Sequence, residues 1–205
     1  MKKNGITMSA ILLVIAVLAA SCASGGKAAK TEQAAPEIKY SWNFDDPASG
    51  TAGWFMIPDE YWDFHGTAEV SRDDSTFGKG MLRLDVDYSK DSKSEWSEPK
   101  MKMAFDTPLE GIRNFCFDFI YNPTFSNTKN GHFKSKIVIY NGKKQLSEKN
   151  TEAILALDAL PNGYVKGNVS ISIRASGPVD NMVFSIAGYK TDYNGPIFFD
   201  NIRWE

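Results

Sequence analysis

Between residues 81 and 88 the chain alternates strictly. Leu82, Leu84, Val86 and Tyr88 share one face of an extended segment, and Arg83, Asp85 and Asp87 share the other. The same period of two recurs at 168–175, where Val169, Ile171 and Ile173 oppose Ser170, Ser172 and Arg174. It recurs again at 133–140, where Ile137 and Ile139 alternate with Lys134, Lys136, Val138 and Tyr140. Alternate side chains of a strand point to opposite faces, so each segment predicts a half-buried strand with one solvated side. No comparable helical period is present. Ten strands follow from this pattern, at 38–45, 67–72, 81–88, 95–105, 112–121, 133–140, 153–157, 168–175, 181–189 and 197–204. Turn signals separate them at Asp45-Asp46-Pro47, Gly78-Lys79-Gly80, Asn122-Pro123, Asn141-Gly142 and Pro161-Asn162-Gly163. The stretch 143–160 is ambiguous and is compatible with a short helix. Ten short strands in one domain predict an all-β fold, a sandwich of two sheets.

Two places break the alternation usefully. In 95–103, Met101 and Met103 belong to one face, while Trp96 falls on the other with Glu98, Lys100 and Lys102. A Trp among charged residues on a polar face is either a binding residue or a cover for a sheet edge or loop. Trp54, in the loop after the first strand, and Trp62, in Glu60-Tyr61-Trp62-Asp63, are further candidates, though either can simply cap the end of the sandwich. Trp42, alternating with Tyr40 and Phe44, and Trp204 read as core or sheet-edge residues. The second break is Asp200, inside the apolar run Ile197-Phe198-Phe199-Asp200-Asn201-Ile202. A carboxylate in such a run needs a partner. The expectation is a structural Ca²⁺ held by Asp200, by Asp45 and Asn43 at the end of the first strand, and by carbonyls of the 73–79 loop. The alternative is a carboxylate that accepts backbone N–H bonds.

The start of the chain reads as a targeting segment. Lys2 and Lys3 precede the apolar stretch 11–20, which is too short for a membrane span and runs into Leu18-Ala19-Ala20-Ser21-Cys22. This resembles a relaxed bacterial lipobox, with Ala19 where Leu is usual. The expectation is a signal peptide over 1–21, lipidation at Cys22, a flexible tether over 22–36 and one folded domain over 37–205. The protein would then be anchored in the bacterial cell envelope, at the outer membrane or cell surface. Cleavage after residue 21 leaves 184 residues with 21 basic against 25 acidic side chains, a net charge of −4. That balance gives no footprint for nucleic acid. Only Cys116 then remains in the domain, in Phe115-Cys116-Phe117, where a buried inert thiol is expected. His65 and His132, the two histidines, lie in loop-like segments without a motif, which speaks against a Cys nucleophile or a zinc site.

Aromatic rings stack on the C–H faces of pyranoses, while neighbouring carboxylates, amides and amines select the hydroxyl pattern. Each such stack is worth on the order of 1 kcal/mol beyond area burial, by analogy with other aromatic contacts. Trp96 with Glu98, Lys100 and Lys102 suits that chemistry. An enzyme would need two carboxylates across one cleft. Glu95, Glu98, Asp85, Asp87 and Asp118 are available, but no spacing singles out a pair, and the reading is non-catalytic.

Three segments then carry a resemblance. They are Phe44 with Trp54; Gly78-Lys79-Gly80-Met81-Leu82-Arg83-Leu84-Asp85-Val86 followed by Ser94-Glu95-Trp96-Ser97-Glu98; and Tyr193-Asn194-Gly195-Pro196-Ile197-Phe198-Phe199-Asp200-Asn201-Ile202-Arg203. Over 38–204 the chain resembles the mannan-binding carbohydrate-binding modules of family 27. The resemblance implies a galactose-binding-like β-jelly roll that binds a β-linked polysaccharide, mannan or glucomannan. It also implies that Trp54 and Trp96 stack on mannose rings. A third family Trp falls near Asn141-Gly142-Lys143-Lys144, where this chain has none; Tyr140 and Trp62 are the candidates to replace it. Glycoside hydrolases or sugar transporters are the expected partners. The competing expectation is a structural or interaction envelope lipoprotein that keeps the fold without sugar binding.

Overall fold

The last strand collects the first: Lys39 N–H donates to the Trp204 carbonyl (2.8 Å) and Trp42 N–H to that of Ile202 (3.1 Å), bringing the two ends of the folded unit together. The computed structural model describes residues 36–58 and 64–205; the leader, the tether up to residue 35, Cys22 and Trp62 lie outside these residues. The strands are β1 (Tyr40–Ser41), β2 (Phe55–Met56), β3 (Thr67–Asp73), β4 (Met81–Asp87), β5 (Lys100–Leu109), β6 (Asn114–Tyr121), β7 (His132–Asn141), β8 (Lys144–Asn150), β9 (Asp158–Ala159), β10 (Val165–Ser172), β11 (Val179–Tyr189) and β12 (Asn194–Trp204). All pairings are antiparallel. One sheet runs β3-β4-β12-β6-β10-β9, with β1 added to β12 past the point where β4 ends. The other runs β2-β5-β11-β7-β8.

The inward faces are aromatic. Phe115 and Phe117 of β6 and Phe199 of β12 meet Phe184 of β11, Phe119 of β6 packs on Phe199, and all five are fully buried. Phe184 stands edge-on to Phe117 (5.0 Å), Phe115 (5.3 Å) and Phe199 (5.5 Å), the geometry the ring quadrupole favours. Each such side chain contributes about 1.5–3 kcal/mol by burial alone. A smaller apolar group of Met81, Ile120 and Phe198, with Phe77, Leu160 and Tyr164 packed on it, covers part of the outer face of the seven-stranded sheet. Cys116 is buried and donates to Ser170 Oγ (3.3 Å); burial pushes its thiol pKa up, which keeps it unreactive.

The short strands β2 and β9 were not expected from the sequence, and three larger departures from the sequence reading each have a cause. Segment 153–157 is not a strand and 143–160 holds no α-helix; β8 instead occupies Lys144–Asn150. It is a mostly exposed edge strand, so its KQLSEKN sequence carries no apolar alternation, and it is set by the hairpin at Gly142, whose φ of +58° suits glycine. The strand expected at 95–105 becomes β5, starting at Lys100, because Pro99 has no N–H to donate. The pairing resumes beyond it at the Ser97–Gly188 bridge. The strand expected at 38–45 shrinks to β1, although the backbone bonds of Lys39 and Trp42 continue its course.

Truncating the ring at the centre of both sheets, Phe184→Ala, should destabilise the domain by about 3–5 kcal/mol. The check is the denaturant midpoint, which should fall while the m-value stays unchanged.

Candidate functional site

The outer face of the five-stranded sheet is set by one register. β5 and β11 pair from Ala104↔Asn181 to Lys100↔Ser185, and Ser97↔Gly188 continues the same register. β7 joins on the other side of β11, from Asn181↔Tyr140 to Tyr189↔His132. Outward residues therefore line up in rows across three strands. Trp96 comes to the level of Tyr189 and His132, and Glu98 to that of Ala187 and Lys134. Then follow Lys100–Ser185–Lys136 and Phe55–Lys102–Val183–Val138–Glu148. The last row is Asn181–Tyr140–Gln145.

Two adjoining hollows lie along these rows and share Ile57, Tyr140 and Val183. One, about 500 Å³, has Glu98, Lys100, Lys136, Glu148 and Ser185 in its lining. The other, about 470 Å³, adds Phe55, Lys102, Lys143 and Asn181. Together they make a groove along the sheet.

The polar floor of the first hollow is locked. Glu98 is 4% exposed; its Oε2 accepts from Ser185 Oγ (2.9 Å) and its Oε1 faces Lys100 Nζ (3.5 Å) and Lys136 Nζ (3.8 Å). Lys136 also reaches Glu148 (3.0 Å). Burial works against the charged form of Lys136, but the Glu148 hydrogen bond and the two carboxylates prevail and its pKa is raised. Burial, with Glu148 nearby, raises that of Tyr140, so the phenol stays neutral and keeps its O–H donor. Such a floor offers fixed donors and acceptors beside a half-buried ring.

Of the residues expected to bind a ligand, Glu98, Lys100 and Tyr140 meet in this groove. Trp96 is half-buried on the same face, at the level of the Tyr189 ring, which stacks on His132 (4.5 Å). Trp54 does not join them. Its segment turns back through Ala52 (φ +50°) and Gly53 (φ +88°), and the indole enters the core, 1% exposed, against Trp42 (5.3 Å) and Phe184 (6.0 Å). It is a core residue in this structure and offers no ring face to a ligand. Missing from the sequence reading were Phe55, Ser185, Asn181, Lys136, Gln145 and Glu148. Extending the outward alternation of 181–189 would have found Asn181, Val183 and Ser185.

Each of the expected calcium ligands Asp200, Asp45 and Asn43 accepts from a donor of the protein itself. Lys79 Nζ pairs with Asp200 Oδ2, and Asp200 Oδ1 accepts from Asn201 N–H (2.8 Å) at a β-bulge where Asn201 has φ +49°. Asp45 Oδ1 accepts from Gly80 N–H (3.2 Å), and Asn43 Oδ1 from Asp45 N–H (2.9 Å). Arg72 donates to the carbonyls of Phe44 (2.6 Å) and Asp45 (3.3 Å). Among the described residues no group of three or more acidic, His or Cys side chains is placed to hold a metal ion. Gly80 is required there, since a Cβ would lie 1.7 Å from the Phe44 carbonyl oxygen.

Comparison with known proteins adds the following. The family model described as carbohydrate binding module 27 matches residues 37–204. Among solved structures, the carbohydrate-binding module TmCBM27, reported in a dissection of specific mannan recognition, superposes with a TM-score of 0.61 at 18% identity, covering 82% of this chain and 96% of that one. Caldicellulosiruptor saccharolyticus CBM27-1 in complex with mannohexaose gives 0.59 at 19%, covering 80% and 96%. CBM28, a module specific for non-crystalline cellulose, gives 0.54 at 19%, covering 75% and 88%. At these identities the likeness bears on the fold, a jelly-roll β-sandwich. None of the curated protein sequences compared with the chain matches it.

With Lys79 paired to Asp200 and Arg72 bonded to the carbonyls of Phe44 and Asp45, a chelator should leave the melting temperature unchanged and added Ca²⁺ should not raise it. A calcium-dependent rise in a thermal-melt series would contradict this arrangement.

Proposed function

Residues 37–204 belong to the carbohydrate binding module 27 family, and we propose that this chain is a non-catalytic module that binds a β-linked polysaccharide, mannan or glucomannan, along the outer face of β5, β11 and β7. The observation that carries the reading is the groove itself. From the Tyr189 row to the Asn181 row, eight residues at ~3.4 Å each give about 27 Å of aligned surface. Half-buried rings stand near both ends, Trp96 and Tyr140, and the Glu98–Lys100–Lys136–Glu148 network lies between them. Apolar ring faces and fixed polar groups side by side are what a pyranose chain needs. Because Glu98, Lys136 and Glu148 already hold one another, donors and acceptors are preorganised and little ordering entropy is lost on binding. Tyr140, beside the hairpin where the family places a third Trp, supplies the ring at that end. The chain is expected to be retained on insoluble β-mannan. Trp96→Ala and Tyr140→Ala should each weaken binding about fivefold or more while leaving the melt unchanged, as loss of a ~1 kcal/mol stack predicts. No retention on mannan or any other plant glycan would sink the proposal.

The burial of Trp54 and the absence of Trp at 141–144 favour one second reading: a jelly-roll lipoprotein that contacts another protein and no glycan. Silence across a glycan array, with a protein captured by crosslinking, is the result it requires.

For the cellular setting, the sequence 18–22 supports lipidation at Cys22 and an envelope location, tethered by 22–36, beside glycoside hydrolases or sugar transporters. Radiolabelled palmitate should enter the wild type and not Cys22→Ser. Equal labelling of both contradicts the anchor.

A further inference from the structure

The turn that buries Trp54 delivers its neighbour to the groove. Successive side chains of a strand alternate. With Trp54 inward, Phe55 faces outward, and Met56 turns back onto the core. Phe55 pairs with Lys102 at the edge of the five-stranded sheet and is 48% exposed. Its ring touches no other aromatic ring among the described residues. A single exposed apolar side chain is ordinary, but this one lines the 470 Å³ hollow together with Ile57 and Val183. Tyr140 stands on the far side of the same hollow, one outward row further along. From β2 across β5 and β11 to β7 is three strand spacings, about 14 Å between backbones. The two rings therefore flank the groove from opposite sides.

Asn181, on β11 between them, supplies a polar group. Its Nδ2 donates to the Gly142 carbonyl (3.1 Å) and to Asp180 Oδ1 (2.6 Å). Both partners only accept, so the amide nitrogen must face them, and both of its hydrogens are spent. Asp180 is fixed in turn. Its Oδ2 accepts from Gly142 N–H (2.7 Å), and that bond, the Asn181 amide and the Lys102 ammonium hold its carboxyl below the usual range. Asn141 Nδ2 adds a bond to the Pro178 carbonyl (3.0 Å). The Asn181 amide cannot turn over without losing both of its bonds. Its Oδ1 is thus held in one orientation, takes no donor from the described residues and is open to solvent.

We infer that Phe55 and Asn181 bind the glycan: the Phe55 ring packs on a pyranose face from the β2 edge, opposite Tyr140, and Asn181 Oδ1 accepts from a sugar hydroxyl. This rests on the proposed glycan-binding role of the groove and assigns two contacts within it. The chemistry recognised is that of a neutral pyranose, an apolar C–H face beside a donor hydroxyl. Phe55 presents from the sheet edge the ring face that Trp54, turned into the core, does not offer. An acceptor already fixed in place also gives selectivity, because a sugar without the matching hydroxyl leaves it unanswered.

The test is calorimetry on the full chain with mannohexaose. Phe55→Ala should weaken binding about fivefold, as loss of a stacking ring predicts. Phe55→Leu should lose nearly as much, since it restores bulk without a flat face, and Phe55→Trp should bind at least as tightly as the wild type. For Asn181 the ligand is varied, using mannohexaose analogues that each lack one hydroxyl position. One analogue should bind the wild type about fivefold more weakly and lose nothing further in Asn181→Ala. A residue that only braced the hairpin would leave the effect of that hydroxyl in place. Wild-type affinity in Phe55→Ala overturns the role of Phe55, and additive losses for every analogue overturn that of Asn181. Glycan binding itself stands in both cases if Trp96→Ala still weakens it. Failure of the wild type to bind mannohexaose removes the groove's proposed role for this glycan, and the inference with it.

Discussion

β5 and β11 pair in one register from Ala104↔Asn181 to Ser97↔Gly188, across a proline that cannot donate, and every feature of the groove depends on that continuity. A slip of β5 by one residue would turn Lys100 and Lys102 into the core and push Met101 and Met103 out to water. The core enforces the register: Met101, Phe184 and Ile186 are fully buried, and their burial is worth several kcal/mol that a slipped pairing would forfeit. The groove is thus the reverse side of the packing. The residues that hold the two sheets together fix, through the period of two, which residues face the ligand and in what order.

The same logic explains why this face stays open. On the seven-stranded sheet, outward Phe198, Ile120 and Met81 are covered by Phe77, Leu160 and Tyr164. On the five-stranded sheet the outward residues are lysines, carboxylates, hydroxyls and scattered rings, which water tolerates when no ligand is bound. At the joined ends of the unit, Lys79 and Arg72 satisfy Asp200 and the carbonyls of Phe44 and Asp45.

Much of the fold was legible in the chain. The alternations at 81–88, 133–140 and 168–175 place Leu84, Ile137 and Ile171 in the core, where the structure has them. Strand β8 was not legible, because a mostly exposed edge strand leaves no apolar period; Gln145 and Glu148 were lost with it. Trp96 and Glu98 could be placed on one polar face from their spacing alone. Trp54 could not be placed at all: whether a loop Trp turns in or out depends on the positive φ of Ala52 and Gly53 and on the space between Trp42 and Phe184, and neither is written in local sequence. Asp200 was flagged correctly as a carboxylate needing a partner, but its partner lies 121 residues away in sequence at Lys79, beyond any local pattern.

The most direct test of this account is to map, residue by residue, where a β-linked manno-oligosaccharide perturbs the amide and indole signals of the domain. The account predicts that the perturbed set follows the rows of β5, β11 and β7, including the Trp96 indole, Lys100, Val183, Ser185 and Tyr140. The outer face of β4, β12 and β6 should remain silent. Perturbations confined to that opposite sheet, or spread over the loops with none on β11, would contradict it.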